Sequence, residues 1–336
     1  MKKKIAIILV AVLSIVLTLA GCGEKPATVK SDDDYVLKIG YSGSLCEAPL
    51  HMAIEKGFFE AEGLKVDVTK LAPGTAFEAV TAGKTEAGFG LLASLVQPLS
   101  NGLPIKITSG LHTGCDKVLA PKNSGINSLA DLRGKRIGVP SMNSSPIIFA
   151  KRALADAGVG VSEKNMEVEF IVFSATDLPL ALKNGAVDAL AMNDPTASIT
   201  QKEYDLKSIV DSAVDAPYKD QYCCSAYVRD NIASEHPEVA AKYTRAMQKA
   251  SAWIQKNPDE TAKIQVDKKW VAGDAAFNAS VLKTYNFIPS VSGAYDAFGI
   301  TAKQLQEVGM LDKNVDADAL QKKSFIKFKD VPDVVK

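Results

Sequence analysis

The sequence predicts an α/β fold of two lobes, on three observations. Short apolar strands alternate with helices across short connections, the pattern of parallel α/β layers. One module appears twice: strand, small-residue turn, helix, then a strand ending in EAGFG (86–90) or VDALAMN (187–193). Hydrophobic residues make up 47% of the chain, enough for two cores of ordinary domain size.

The first module opens with a strand at Leu37–Tyr41 and a turn at Ser42, Gly43 and Ser44. A helix follows over Leu50–Glu62, with Leu50, Ile54 and Phe58 at helical spacing and Gly63 closing it. Strands are expected at Val66–Leu71, Ala87–Leu92 and Ile105–Leu111, with helices at Thr75–Thr81 and Leu95–Leu99. The second module begins with a strand at Val118–Pro121 and a short capped helix at Ser128–Asp131. Strands follow at Arg136–Val139, Val168–Phe173, Ala189–Met192 and Leu206–Asp211. Ser145 and Pro146 read as the cap and first residue of a helix to Ala157, and Asp194-Pro195 starts another by the same logic. Asp177–Lys183 is a third helix. Tyr222–Val228 reads as a return strand, and the chain beyond Ile232 is mostly helical.

The N-terminus reads as a leader. Lys2, Lys3 and Lys4 precede an apolar run, Ile5–Ala20, too short for an ordinary membrane span. Leu19-Ala20-Gly21-Cys22 ends it and resembles a bacterial lipobox, in which the Cys22 thiol takes a diacylglycerol before cleavage. Residues 22–36 are a polar lipidated tether after the 1–21 signal peptide. The protein is therefore expected outside the cytoplasmic membrane, held to its outer face. The chain has 39 basic and 39 acidic residues and no basic run, which argues against nucleic-acid binding. Losing three leader lysines leaves the mature chain slightly acidic. The boundaries place lobe one at 37–116 plus 225–330 and lobe two at 117–222. Two crossovers then form a hinge with a cleft between the lobes.

Several stretches carry a family resemblance: Ala48–Ala53, EKGFFEAEGL (55–64), Leu129–Lys135 with Ile137–Val139, Gly185–Ala189 and Asp194-Pro195. They occur in the right order over nearly the whole mature chain. The chain resembles ABC-importer solute-binding proteins of the nitrate/sulfonate/taurine and thiamine-pyrimidine type. The resemblance implies the type II periplasmic binding protein fold, two Rossmann-like lobes joined by a two-crossover hinge. It also implies a monomer that captures a small molecule and delivers it to a membrane permease and its ATPase. No catalytic residue set and no cofactor is expected.

Ligand contacts are expected at strand-end turns, where open α/β sheets bind small molecules. In lobe one these are Ser42, Gly43, Ser44, Cys46, Ser94, His112, Thr113 and Cys115. In lobe two they are Met142, Asn143, Ser144, Ser145, Asn193 and Asp194, with Tyr222 and Cys224 on the return crossover. His51 is expected near the cleft as well. The turns hold no arginine, and Asp194 would repel an anion, which favours a neutral or amine-bearing heterocycle.

Cys46, Cys115, Cys223 and Cys224 leave three readings open. Cys46–Cys115 forms a disulfide, with Cys223 and Cys224 buried or bonded; all four are small buried residues; or they form a soft site for a metal or thiol compound. Yeast-type thiamine-pyrimidine synthases resemble this fold and carry a cysteine-rich iron-binding run in the return region. Only two adjacent cysteines stand there in this chain, so that enzyme function is not carried over. A ligand-presenting sensor is a further alternative to transport.

Overall fold

The computed structural model describes residues 32–72 and 74–336. The leader, Cys22 and most of the tether lie outside the described residues. Two five-stranded sheets organise the rest. The strands, in chain order, are β1 (Val36–Tyr41), β2 (Lys65–Lys70), β3 (Ala87–Leu91), β4 (Ile105–Thr113), β5 (Asp116–Pro121), β6 (Arg136–Val139), β7 (Val161–Ser162), β8 (Asn165–Met166), β9 (Glu169–Val172), β10 (Ala189–Asn193), β11 (Leu206–Asp211) and β12 (Tyr222–Arg229). The first sheet has the order β2-β1-β3-β12-β4, the second β11-β5-β10-β6-β9.

The two sheets share one topology. In each, a single strand runs against the others: β12 in the first and β5 in the second. Each is the strand by which the chain enters that sheet from the other. The first crossing is the pair Gly114 and Cys115 between β4 and β5; the second is the stretch between β11 and β12. Both faces of each sheet carry an apolar cluster, as expected where helices cover a mostly parallel sheet on both sides.

Three local expectations are corrected. The helix expected over Leu50–Glu62 is two helices, Ala48–Glu55 and Phe58–Ala61, because Gly57 takes a φ of 70° between them. The N-cap position of the helix Ser145–Asp156 is Ser144, one residue before the expected cap, and its side chain makes no capping bond. Ser145 instead bonds a carboxylate from the hinge, which no local pattern encodes. The disulfide joins Cys115 to Cys223, not to Cys46. It links the first crossover to the start of β12, because both lie at the same end of the first sheet.

Tyr222, expected among the ligand contacts, packs inside the fold instead. Its ring fills the space over Gly110 on β4 and Gly293 in the helix Val291–Glu307. A Cβ at either glycine would stand 2.4 or 2.3 Å from that ring, so neither position tolerates a side chain. The Tyr222 hydroxyl donates to the Ile288 carbonyl. This packing locks the return strand against β4.

Candidate functional site

A cavity of about 210 Å³ lies at the carboxyl ends of β1 and β3. Tyr41, Phe77, Phe89, Leu71 and Leu91 supply apolar walls; Ser42, Ser44, Glu47 and Ser94 supply polar atoms. Asn193, at the end of β10, reaches it from the second sheet. A second cavity of about 250 Å³ shares Phe77 and Ser94 and is bounded by Asn143, Ile148 and Leu305. Ser94 opens the first turn of the helix Leu92–Ser100, and its Oγ is buried without a partner. A buried hydroxyl that makes no hydrogen bond costs free energy, so it is poised for a ligand or a water.

The turn after β1 is built around Glu47. Ser44 and Glu47 form a capping box at the start of a 3₁₀ turn. The carboxylate goes further: it accepts the backbone N–H of Ser42 (2.8 Å), Gly43 (2.6 Å) and Ser44 (2.8 Å), and the Ser42 hydroxyl at 3.1 Å. Three successive N–H groups converging on one point make an anion-binding nest, and here the chain's own side chain fills it. Gly43 makes the geometry possible. Its φ is +88°, and a Cβ there would stand 3.1 Å from the Trp270 carbonyl and 3.3 Å from Lys70 Nζ. Glu47 is 4% exposed, and burial pushes its carboxyl above the ordinary range while the donors pull it back.

His51 and His112 belong to the core. His51 is fully buried, stacked on Trp270 at 4.7 Å, with Nδ1 2.9 Å from Gln265 and Nε2 unpartnered. Burial, aided by the charge of Lys70, pushes it down to about 3. His112 stacks on Tyr285 at 5.1 Å, and its two ring nitrogens each lie 3.1 Å from a backbone carbonyl, of Thr113 and Cys46. Burial takes it down to about 4. Burial holds both rings neutral near pH 7, so His112 donates to only one of the two carbonyls its nitrogens face.

A buried polar hub fills the hinge. Asp116 accepts the Ser145 hydroxyl, and its N–H donates to Ser212 Oγ at 2.8 Å. Lys117 pairs with Asp211 at 2.5 Å and lies 3.7 Å from Asp194. Tyr285, in the first lobe, donates to Asp194 at 3.2 Å. Burial pushes Asp116 up to about 7 and raises Asp194 as well. Asp194 thus faces the hinge rather than the cavity. The cysteines gather beside this hub: the sulfurs of Cys46, Cys115 and Cys224 lie within 4.8 Å of one another, and Cys223 is bonded to Cys115.

Of the residues expected to touch a ligand, Ser42, Ser44, Cys46, Ser94 and Asn193 line the first cavity, and Asn143 the second. The Gly43 N–H is spent on Glu47. His112, Thr113, Cys115, Asp194 and Cys224 are buried at the hinge, Ser145 and Tyr222 pack beside it, and Met142 is 52% exposed. The Ser144 hydroxyl donates to the Ser141 carbonyl. Glu47, Phe77 and Phe89 were missed. The spacing Ser44-x-x-Glu47 was the available signal for the first. Nothing local marks the aromatics.

Two lobes of one topology, joined by two crossovers with a cavity at their strand ends, define a periplasmic-binding-protein fold. The chain belongs to the NMT1/THI5-like family, whose model matches residues 47–261. It is 28% identical over 268 residues to a putative aliphatic sulfonates-binding protein of Bacillus subtilis, covering 78% of each chain. It is 27% identical over 258 residues to the riboflavin-binding protein RibY of Chloroflexus aurantiacus, covering 74% of this chain and 70% of that one. The alkanesulfonate-binding protein SsuA of Xanthomonas axonopodis pv. citri superposes with a TM-score of 0.70 at 18% identity, over 87% of this chain and 98% of that one. That last likeness concerns the fold alone.

Proposed function

We infer that this chain is the solute-binding component of an importer and that its solute is a small, planar, neutral or amine-bearing ring rather than an anion. The observation that carries the ligand class is Glu47 in the nest of Ser42, Gly43 and Ser44. A sulfonate or nitrate at this turn would meet a carboxylate where it needs N–H donors, and like charges at hydrogen-bond distance are strongly disfavoured. Lys70 is the cation beside this turn, but it is exposed and does not line the cavity. Tyr41, Phe77 and Phe89 offer flat apolar faces, and Ser94 and Asn193 offer polar atoms to orient a ring. At about 210 Å³ the cavity is smaller than the roughly 300–1,000 Å³ of drug-sized sites, which favours one ring over three.

The relatives bind different solutes by name, so the class of protein is common ground and the ligand is read from the cavity. We divide the mature chain into lobe one, 37–116 plus 225–330, and lobe two, 117–222. We place it outside the membrane, a monomer anchored by lipid on Cys22 and partnered by a permease and its ATPase. Lobe one holds the solute first and lobe two closes over it.

A thermal-shift panel tests the ligand class. One-ring nitrogen heterocycles are expected to raise Tm, while alkanesulfonates and nitrate leave it unchanged. The opposite ranking overturns the reading. Replacing Cys22 by Ala is expected to abolish lipid attachment; a lipid-modified variant contradicts the anchor.

A further inference from the structure

Four cysteines from three separate parts of the chain meet at the hinge. Cys46 lies in the 3₁₀ turn after β1, Cys115 in the first crossover, and Cys223 and Cys224 at the start of β12. The Sγ atoms of Cys46, Cys115 and Cys224 all lie within 4.8 Å of one another, with Cys115 and Cys224 at 3.9 Å. A metal with sulfur bonds of about 2.3 Å sets sulfur–sulfur edges of about 3.8–4.0 Å. The three side chains are all but fully buried. Their backbones are held independently of the sulfurs. The Cys46 carbonyl meets His112 Nε2, the Cys115 carbonyl accepts the Asp194 N–H at 2.9 Å, and Cys224 is paired in the ladder with Leu91. The donors are therefore set in place without a metal, which is what a built site requires. A second observation points the same way. Asp116 is 4% exposed, its Oδ1 has no partner, and a carboxylate oxygen of this residue lies within 4.8 Å of the sulfurs of Cys115 and Cys223.

We propose that, once the Cys115–Cys223 bond is reduced, Cys46, Cys115 and Cys224 hold one thiophilic d¹⁰ ion, Zn(II) or Cu(I), and that the disulfide and the metal are alternative occupants of the hinge. Thiolate sulfur selects such ions over hard cations. A dithiol supplies the two electrons and two protons for the first step. The Cys115–Cys223 bond breaks, both sulfurs become thiols, and the dithiol is oxidised to its own disulfide. Metal entry then forms one metal–sulfur bond per cysteine and releases that cysteine's proton. Cys223 leaves the primary set and Asp116 stands beside it as an oxygen donor. Because Cys46 also lines the solute cavity, the bound ion ties that wall to both crossovers. The proposal does not depend on which solute the cavity takes.

The test uses the full lipidated protein in detergent, reduced anaerobically and freed of reductant. It is titrated with Zn(II) against a chromophoric chelator, and separately with Co(II) as a spectroscopic probe. One ion per chain is expected, with sulfur-to-cobalt charge-transfer bands, and none in the oxidised protein. Cys46→Ser and Cys224→Ser are each expected to weaken Zn(II) binding at least about tenfold. Cys223→Ser is expected to bind without prior reduction, since Cys115 then has no disulfide partner. Alkylation of the unmutated protein, read by peptide mass spectrometry, gives a measure that needs no variant. Zn(II) should protect Cys46, Cys115 and Cys224 and leave Cys223 the most reactive. Reduced protein that binds no stoichiometric Zn(II) or gives no charge-transfer bands overturns the site. So does equal alkylation of all four cysteines with and without Zn(II).

Discussion

The turn after β1 and the turn after β6 occupy equivalent places in the two sheets, yet a carboxylate meets them in different ways. Both follow the carboxyl end of a strand and lead into helical structure, the position from which open α/β folds bind ligands. In the first, Glu47 takes the N–H groups of Ser42, Gly43 and Ser44. In the second, Ser144 precedes the helix Ser145–Asp156 with no side-chain cap, and the carboxylate that arrives there, Asp116, accepts the Ser145 hydroxyl rather than backbone N–H groups. The fold therefore repeats a binding geometry, with a carboxylate on the backbone amides of the first turn and on a hydroxyl at the second. A turn's place in the topology says where a ligand sits; the side chain that reaches its amides says which charge it tolerates.

The sharpest way to break this contrast is Glu47→Ala. It leaves three converging N–H groups without an acceptor, and the cost is expected to be about 3 kcal/mol by urea unfolding. A loss below about 0.5 kcal/mol would mean that water serves the nest equally well. The second turn has no such nest to empty: Ser144→Ala deletes one part-buried hydrogen bond and is expected to cost about 1 kcal/mol or less.

Acid separates the two regions next. The helix Ala48–Glu55 carries buried His51, and the helix Ser145–Asp156 has no histidine. His51 is lowered in the folded protein to about 3 from 6.5. Its contribution is fully present above pH 6.5 and is lost as pH falls toward 3, because the unfolded chain takes up the proton first. The difference in stability between the unmutated protein and His51→Gln should shrink by up to about 1.4 kcal/mol per pH unit in that window. A difference independent of pH would show that His51 protonates in place. A smaller effect is expected at Gly43→Ala. A side chain at a φ of +88° is strained, at about 1 kcal/mol. Equal stability would mean that this turn relaxes away from the nest.

Strands were legible because apolar runs are short: Arg136–Val139, set between Gly134 and Pro140, and Leu206–Asp211 have observed limits that match the sequence reading. Gly57 was less so: the apolar spacing runs across it from Ile54 to Phe58, and only its φ of 70° breaks the helix. The cavity was half legible. Ser42, Ser44 and Ser94 sit where strand ends predict. Phe77 and Phe89 meet there through long-range packing, which periodicity does not encode. Ser145 reads locally as a cap, and its bond to Asp116 spans 29 residues of sequence. The cysteine pairing was illegible for the same reason, since it depends on how two crossovers meet.

Backbone amide NMR of the mature protein tests the central contrast most directly. Methanesulfonate is added while the ¹⁵N–¹H signals of Ser42, Gly43 and Ser44 are followed. With Glu47 filling the nest, these three signals stay in place up to saturating sulfonate. Saturable shifts at all three, with Glu47 displaced, would contradict the assignment of this turn as closed to anions.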